Sequence, residues 1–231
     1  NKAFVDGFRE YLQKDAKSKT KKAISTNTKY SYFNKFRAAL KQAVRDGIIK
    51  TNLAEMVEGL PQGEPVREFL TLEEVKSLAR TECANALMKQ TFLFACLTGL
   101  RFSDIQKLKW SEMQQSEELG HYIRFTQQKT KGSETLPISD EAFSLITTEK
   151  GKPDDLVFPD MLYSDSRNVD LHRWMIKAGI EKHITFHCSR HTYATLQLTL
   201  GTDIFTVSKL LGHRHLKTTQ IYANVIDEKK T

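Results

Sequence analysis

Between Thr185 and Tyr222 the chain gathers side chains able to handle a phosphate. His187 and Arg190 lie in Thr185-Phe-His187-Cys-Ser-Arg190-His-Thr-Tyr-Ala-Thr195, His213 follows Leu210-Leu-Gly212, and Tyr222 ends Thr219-Gln-Ile-Tyr222. A guanidinium presents a planar fork of donors to phosphate oxygens, an imidazole can move a proton near neutrality, and a phenol becomes a nucleophile once its proton is removed. Together these read as a phosphate clamp with a nucleophile beside it. Tyr193 is a rival phenol, but it falls in an apolar helical stripe with Ala194 and Leu196 and reads as core. His191 and His172 read as surface or satisfied core imidazoles.

The elements that must hold these groups are mostly helical. Ser189 to Leu200 reads as a helix closed by Gly201, Asp203 caps a helix over Ile204 to Leu211 closed by Gly212, and Thr218 caps a last helix bearing Tyr222. Upstream, Thr71-Leu-Glu-Glu74 is a capping-box signature opening a helix at about Leu72, and the run Phe92 to Leu97 belongs to a buried helix ending at Gly99. Ser103-Asp-Ile-Gln106 reads as a second capping box, which leaves Arg101 at a junction between helices. His121 to Phe125 alternates as a strand, with Glu134 to Ile138 as its partner and a loop carrying Lys129 and Lys131 between them. A short helix from Asp140, a loop from Gly151 to Pro159 and a helix over Val169 to Ala178 complete this lobe.

The first third of the chain has a different character. Phe4, Val5, Phe8, Tyr11 and Leu12 form one helical stripe, and Tyr30, Phe33, Phe36, Leu40, Ala43 and Val44 a longer one ended by Gly47, with another short helix over Asn52 to Val57. The turn cluster Pro61-Gln-Gly63-Glu-Pro65 sets the domain boundary, giving domains 1–66 and 67–231. Residues 1–66 carry 13 basic against 7 acidic side chains, so +6 of the net +7 lies there. A basic lobe beside a near-neutral one suggests a polyanionic partner, most simply nucleic acid. Lys29, Lys35, Arg37 and Lys41 are the candidate phosphate contacts, which orient a protein without reading sequence.

Three scattered cysteines, Cys83, Cys96 and Cys188, fit neither a disulfide framework nor a zinc site and read as reduced cytoplasmic thiols. No apolar run approaches the roughly 18 residues of a membrane span and no leader opens the chain. The first residue is Asn, so the sequence reads as a fragment of a soluble, unexported protein.

At Thr98-Gly-Leu-Arg101-Phe-Ser-Asp104, His187-Cys-Ser-Arg190, Leu211-Gly-His213 and Tyr222 the sequence resembles the tyrosine recombinases, the phage-integrase family, across the whole chain. The resemblance implies a mainly α fold with a small antiparallel sheet, in which a helical core-binding lobe and a catalytic lobe clamp DNA. It places Arg101 as the first family arginine, Asp104 as the acid behind it, Lys129 as the hairpin lysine, His187 and Arg190 as the His-x-x-Arg pair, His213 as the third-block histidine and Tyr222 as the nucleophile. Ser189 stands where an apolar residue usually precedes the arginine, and only nine residues follow the tyrosine. The resemblance also implies double-stranded DNA attachment or core sites as partner, a homotetramer in the synaptic complex with a monomer allowed when free, and room for an arm-binding domain before residue 1.

The chemistry of the residues agrees. Attack of a phenol on a DNA phosphodiester builds negative charge on non-bridging oxygens, which Arg101 and Arg190 can brace bidentately. His213 can add a hydrogen bond, His187 can assist proton transfer at the nucleophile, and Lys129 can protonate the departing 5′ oxygen, with Lys131 as its competitor. Nearby cations should favour the phenolate. This scheme needs no metal and no cofactor, and no phosphate-cradling Gly-x-x-x-x-Gly-Lys loop is present. The expectation is a site-specific recombinase or integrase of a mobile element. A type IB topoisomerase-like relaxing enzyme and a catalytically silent DNA-binding regulator are the alternatives.

Overall fold

A computed structural model describes residues 1–63, 67–126, 133–146, 151–161 and 165–228. The chain divides into two compact units, Asn1–Val66 and Arg67–Thr231. Lys129 and Lys131, and the end of the turn cluster at residues 64–66, lie outside the described residues.

In the first unit, α1 (Lys2–Lys14) starts where the Asn1 side chain accepts from the Phe4 amide, and α2 (Thr26–Arg45) where the Ser25 hydroxyl accepts from Thr28. Both caps satisfy amides that a helix start leaves without a partner. The two stripes meet a short 3-10 helix, Leu53–Met56, around Val5, Leu12, Phe33, Ala54, Val57 and Leu60. The apolar stripe is wider than the buried surface: Phe4 is 66% exposed and Tyr11 51%. After the 3-10 helix the chain returns to α2, where the Gly63 amide donates to Asn27 Oδ1 at 3.0 Å.

The second unit is mainly helical around one antiparallel sheet. Both bonds of the Thr71/Glu74 capping box form at the start of α3 (Leu72–Arg80). The Leu70 amide donates to Thr192 Oγ1 at 3.0 Å, and Lys182 Nζ reaches both the Phe69 carbonyl and Glu74, so the entry to this unit is stitched at three points. Next, α4 (Ala86–Thr98) buries nearly every face and ends at Gly99 in the left-handed region, φ +67°. The strands run in the order β1 (Met113–Ser116), β2 (Gly120–Thr126), β3 (Ser133–Pro137), with Ile123 opposite Leu136 at the buried centre. Then α6 (Asp140–Ser144), α7 (Asp165–Lys177), α8 (Cys188–Thr199), α9 (Ile204–Leu210) and α10 (Lys217–Glu228) follow α5 (Phe102–Ile105) and the sheet. The main core gathers α4 with Ile105, Leu108, Ile123, Phe158, Leu171, Trp174, Met175 and Phe186. Among the described residues no helix is long and apolar enough to cross a membrane.

Several local expectations are corrected. No capping box forms at Ser103: Arg101 takes the N-cap position, where a guanidinium has no acceptor to offer the first amides, and its Nη1 lies near Asp104 instead. The helix ends at Ile105, and Gln106 Nε2 donates across to the Met161 carbonyl at 2.8 Å. Thr218 lies inside the first turn of α10 rather than capping it, and α7 begins at Asp165, ahead of the expected Val169. The sheet has a third strand, β1, which pairs Met113 with Ile123.

Gly99, two residues before Arg101, is a tight backbone position. A Cβ there would stand 2.4 Å from Tyr193 Cδ1 and 2.9 Å from Cγ, whereas Gly47, also left-handed at φ +70°, faces open space. Left-handed strain costs an L-residue about 1–2 kcal/mol, and overpacking adds about 1–3. Gly99→Ala should therefore lose about 2–5 kcal/mol in urea unfolding and Gly47→Ala only the smaller strain cost of about 1–2; equal losses would mean that Tyr193 moves aside freely.

Candidate active site

Arg190 is one of the buried candidate residues. It lies in the first turn of α8, is 5% exposed, and donates through Nη1 to the Gly99 carbonyl at 2.6 Å and through Nη2 to the Leu211 carbonyl. Those carbonyls belong to the C-terminal ends of α4 and α9, where helix carbonyls lack intrahelical partners. Burial, and then repulsion from Arg101, bring the Arg190 pKa down to about 10, which leaves it charged at neutral pH. The residues that follow these two carbonyls carry Arg101 and His213, so one side chain fixes two other members of the candidate set.

Each of those members has its own brace. Arg101 Nη1 lies 3.7 Å from Asp104 Oδ2, a carboxylate only 2% exposed at its side chain. His213 is set by the turn after α9: the Gly212 amide bonds to the Lys209 carbonyl and the His213 amide to Ser208, with Gly212 at φ +58°. This is the Schellman arrangement, and it projects His213 just past the helix end. Its Nδ1 then meets Thr219 Oγ1 at 2.8 Å, on the first turns of α10, and Thr219 is fully buried. Burial, Arg190 and Arg101 bring the His213 pKa down to about 4, so its imidazole is neutral.

Tyr222 lies on α10, one turn after Thr219, and is 5% exposed in a small cluster with Tyr193, Ala194, Val207 and Leu211. Its hydroxyl stands 2.9 Å from His191 Nδ1. His187, at the N-cap of α8, is exposed and packs edge-on against His191, ring centroids 4.7 Å apart. Burial raises the Tyr222 pKa, while Arg190 and Arg67 pull it down. The expectation that cations would favour the phenolate is thus corrected for the protein without DNA: desolvation outweighs them, and the phenol keeps its proton. Tyr193 is buried, with its pKa pushed up to about 12 by burial. It packs under Gly99 as a core ring.

His191 is the residue that sequence reasoning missed. Its sequence setting predicts a surface or core imidazole, yet it touches the Tyr222 hydroxyl. His191 follows His187 by four residues, which places both on one helix face, but that spacing does not point to Tyr222, 31 residues away. Among the described residues no group of three or more His, Cys, Asp or Glu side chains is arranged to hold a metal ion. The three cysteines are free thiols, and burial raises the pKa of Cys96.

The basic candidates of the first unit are placed differently from one another. Lys35 and Lys41 are exposed, Lys35 near the Tyr32 ring at 6.0 Å from its centroid. Arg37 is half-buried, while the Lys29 ammonium donates to the Gln13 carbonyl at 2.8 Å, near the end of α1.

Comparison with known proteins gives consistent matches. The phage integrase family profile matches residues 68–229 and the phage integrase SAM-like domain residues 1–58. A tyrosine recombinase of Pseudothermotoga lettingae is 27% identical over 229 residues, covering 96% of this chain and 78% of that protein. Tyrosine recombinase XerD of Listeria innocua is 28% identical over 242 residues, covering 96% and 77%, and XerC of Chlamydia trachomatis is 32% identical over 203 residues, covering 79% and 62%. Among solved structures, a lambda integrase dimer bound to a COC′ core site aligns with a TM-score of 0.71 at 17% identity, covering 96% of this chain and 79% of that one. XerA recombinase aligns with a TM-score of 0.56 at 20% identity, covering 95% and 92%. At such identities the structural likeness is one of fold.

The two depressed imidazoles make stability depend on pH. His191 and His213 titrate at about 4 in the folded protein against an ordinary 6.5, so as pH falls below 6.5 the unfolded chain takes up protons that the folded one refuses. Stability is then full above about pH 6.5 and declines toward pH 4. His213→Asn should lower the pH slope of unfolding free energy by about one proton across this window; an unchanged slope in urea titrations would mean that His213 titrates normally.

Proposed function

Because this chain belongs to the phage integrase family, and is a tyrosine site-specific recombinase, we propose that it cuts and rejoins double-stranded DNA with Tyr222 as the nucleophile. The observation that carries this reading is the bracing of Arg101, Arg190 and His213 by the turns at Gly99 and Gly212, in the unit that also buries the Tyr222 hydroxyl on His191. In the proposed step Tyr222 Oη bonds to phosphorus and the bond from phosphorus to O5′ breaks, leaving a 3′-phosphotyrosyl link. The phenol proton leaves to a base, with His187 assisting, and Lys129, or its neighbour Lys131, supplies a proton to O5′. Arg101 and Arg190 spread the charge of the five-coordinate state, and His213 adds a donor to one of its oxygens. A guanidinium has five N–H donors, so a fork tied to two carbonyls keeps others for phosphate.

The covalent link stores the energy of the cut bond, so a 5′ hydroxyl can attack it in reverse without ATP. Exchange then needs two duplexes held together, and we take a homotetramer as the synaptic form, with Lys35, Lys41, Arg37 and Lys29 on the unit that grips the phosphate backbone. Integration or excision of a mobile element is the finer reading. The relatives named XerC and XerD favour a second, a recombinase of their type, and the DNA that is cut separates the two.

Tyr222→Phe should bind a cleavable duplex with unchanged affinity and give no covalent protein–DNA adduct on a denaturing gel. An adduct that survives this change, or one that maps to Tyr193, contradicts the assignment.

A further inference from the structure

The contact between His191 and Tyr222 has no part in the proposed chemistry so far. Its 2.9 Å length is that of a hydrogen bond to the atom that must attack phosphorus. The rings are held around it: His191 meets His187 edge-on at 4.7 Å and Tyr222 tilted by 47° at 5.5 Å. The position is also fixed from behind, because Thr192, the next residue of α8, anchors the Leu70 amide and is itself fully buried.

The surroundings set the charge of both rings, and the tautomer of His191 sets the direction of the bond. Burial, and then His187, Arg67, Arg190 and His213 around it, disfavour a proton on His191, so its imidazole is neutral with a pKa of about 4. Tyr222 is pushed the other way by burial and keeps its proton. With the imidazole proton on Nε2 the bare Nδ1 accepts the Tyr222 O–H, whereas with that proton on Nδ1 the phenol oxygen would accept instead. A hydroxyl otherwise rotates about its C–O bond. Donation to a fixed acceptor ends that freedom and sets where its lone pairs point.

We propose that His191 orients the nucleophile: its Nδ1 accepts the Tyr222 hydroxyl proton and so fixes the Oη lone pairs that must reach phosphorus. The inference rests on the reading of Tyr222 as the nucleophile. It differs from a role in core packing alone, which would affect folding but not the rate of attack in a folded protein. It differs also from a latch that withholds the hydroxyl, which would make removal of His191 accelerate cleavage.

The test uses a duplex that the wild-type protein cleaves, nicked beside the scissile phosphate so that the covalent adduct is trapped, in single-turnover reactions at saturating protein. His191→Ala should form adduct about 10- to 100-fold more slowly, as for a misplaced reacting group, with DNA affinity unchanged and a folded protein by circular dichroism. His191→Asn places an amide group near the position of Nδ1 and should recover most of the rate. A wild-type or faster rate for His191→Ala overturns the proposal, as does a folded His191→Asn that is no better than His191→Ala. Independently of cleavage, ¹⁵N-histidine NMR of the DNA-free protein should show His191 with Nε2 protonated and Nδ1 bare, and Nδ1 should shift in Tyr222→Phe; a protonated Nδ1 overturns the bond direction and with it the proposal. An adduct absent from Tyr222 in the wild type would instead strike the assignment of the nucleophile, whereas an adduct at Tyr222 that is indifferent to His191 strikes this inference alone.

Discussion

The second unit depends on a buried guanidinium that bonds two helix ends. Arg190 donates to the carbonyls of Gly99 and Leu211, each the last of its helix to need a partner. A lysine could not take this place, because an ammonium on a flexible stem is a point charge without a rigid fork. Removing a buried charge from water is costly, and the cost is offset here by short bonds to carbonyls at the negative ends of two helices. Arg101 and His213 then follow by chain connectivity, each two residues beyond a bonded carbonyl. The same residue that is suited to a phosphate therefore also shapes the turns that present its neighbours.

The electrostatics of the site are set for a guest that carries negative charge. Arg101 and Arg190 repel one another, and Asp104 is the carboxylate nearest to Arg101 that offsets them. His191 and His213 stay neutral in this field, and Tyr222 stays protonated because it is buried. An entering phosphate would be attracted by the excess positive charge and would reduce the repulsion between the arginines. The Tyr222 hydroxyl is already in contact with the neutral His191 ring, 2.9 Å from Nδ1. On the proposed reading of Tyr222, the phenolate is made during reaction and is not stored in the resting protein.

Much of this was legible in the sequence because it is written locally. The Thr71/Glu74 box, the Asp203 cap and the glycines at 99, 201 and 212 are each fixed by a few adjacent residues, and each stands where its type and spacing place it. The hairpin of β2 and β3 followed from alternation, with Ile123 and Leu136 buried. What escaped was decided by partners far along the chain. Ser103 has the spacing of a capping box, but the helix starts two residues earlier, with Arg101 as N-cap near Asp104 and the Gln106 side chain bonded to Met161. The polar strand Met113–Ser116 has little alternation and forms because β2 offers it an edge. His191 looked like a helix-surface imidazole because nothing in its neighbourhood of sequence reveals that α10 lays Tyr222 against it, and the raised phenol pKa likewise depends on tertiary burial.

The central claim is that Arg190 holds the two turns bearing Arg101 and His213. Hydrogen–deuterium exchange of Arg190→Lys without DNA, read by mass spectrometry of peptides spanning residues 98–104 and 210–215, tests it directly. The account predicts faster exchange in both segments together, with peptides from residues 1–63 unchanged, since one guanidinium serves both turns. Exchange that is unaltered in either segment would contradict it, and would reduce Arg190 to a phosphate ligand with no part in building the site.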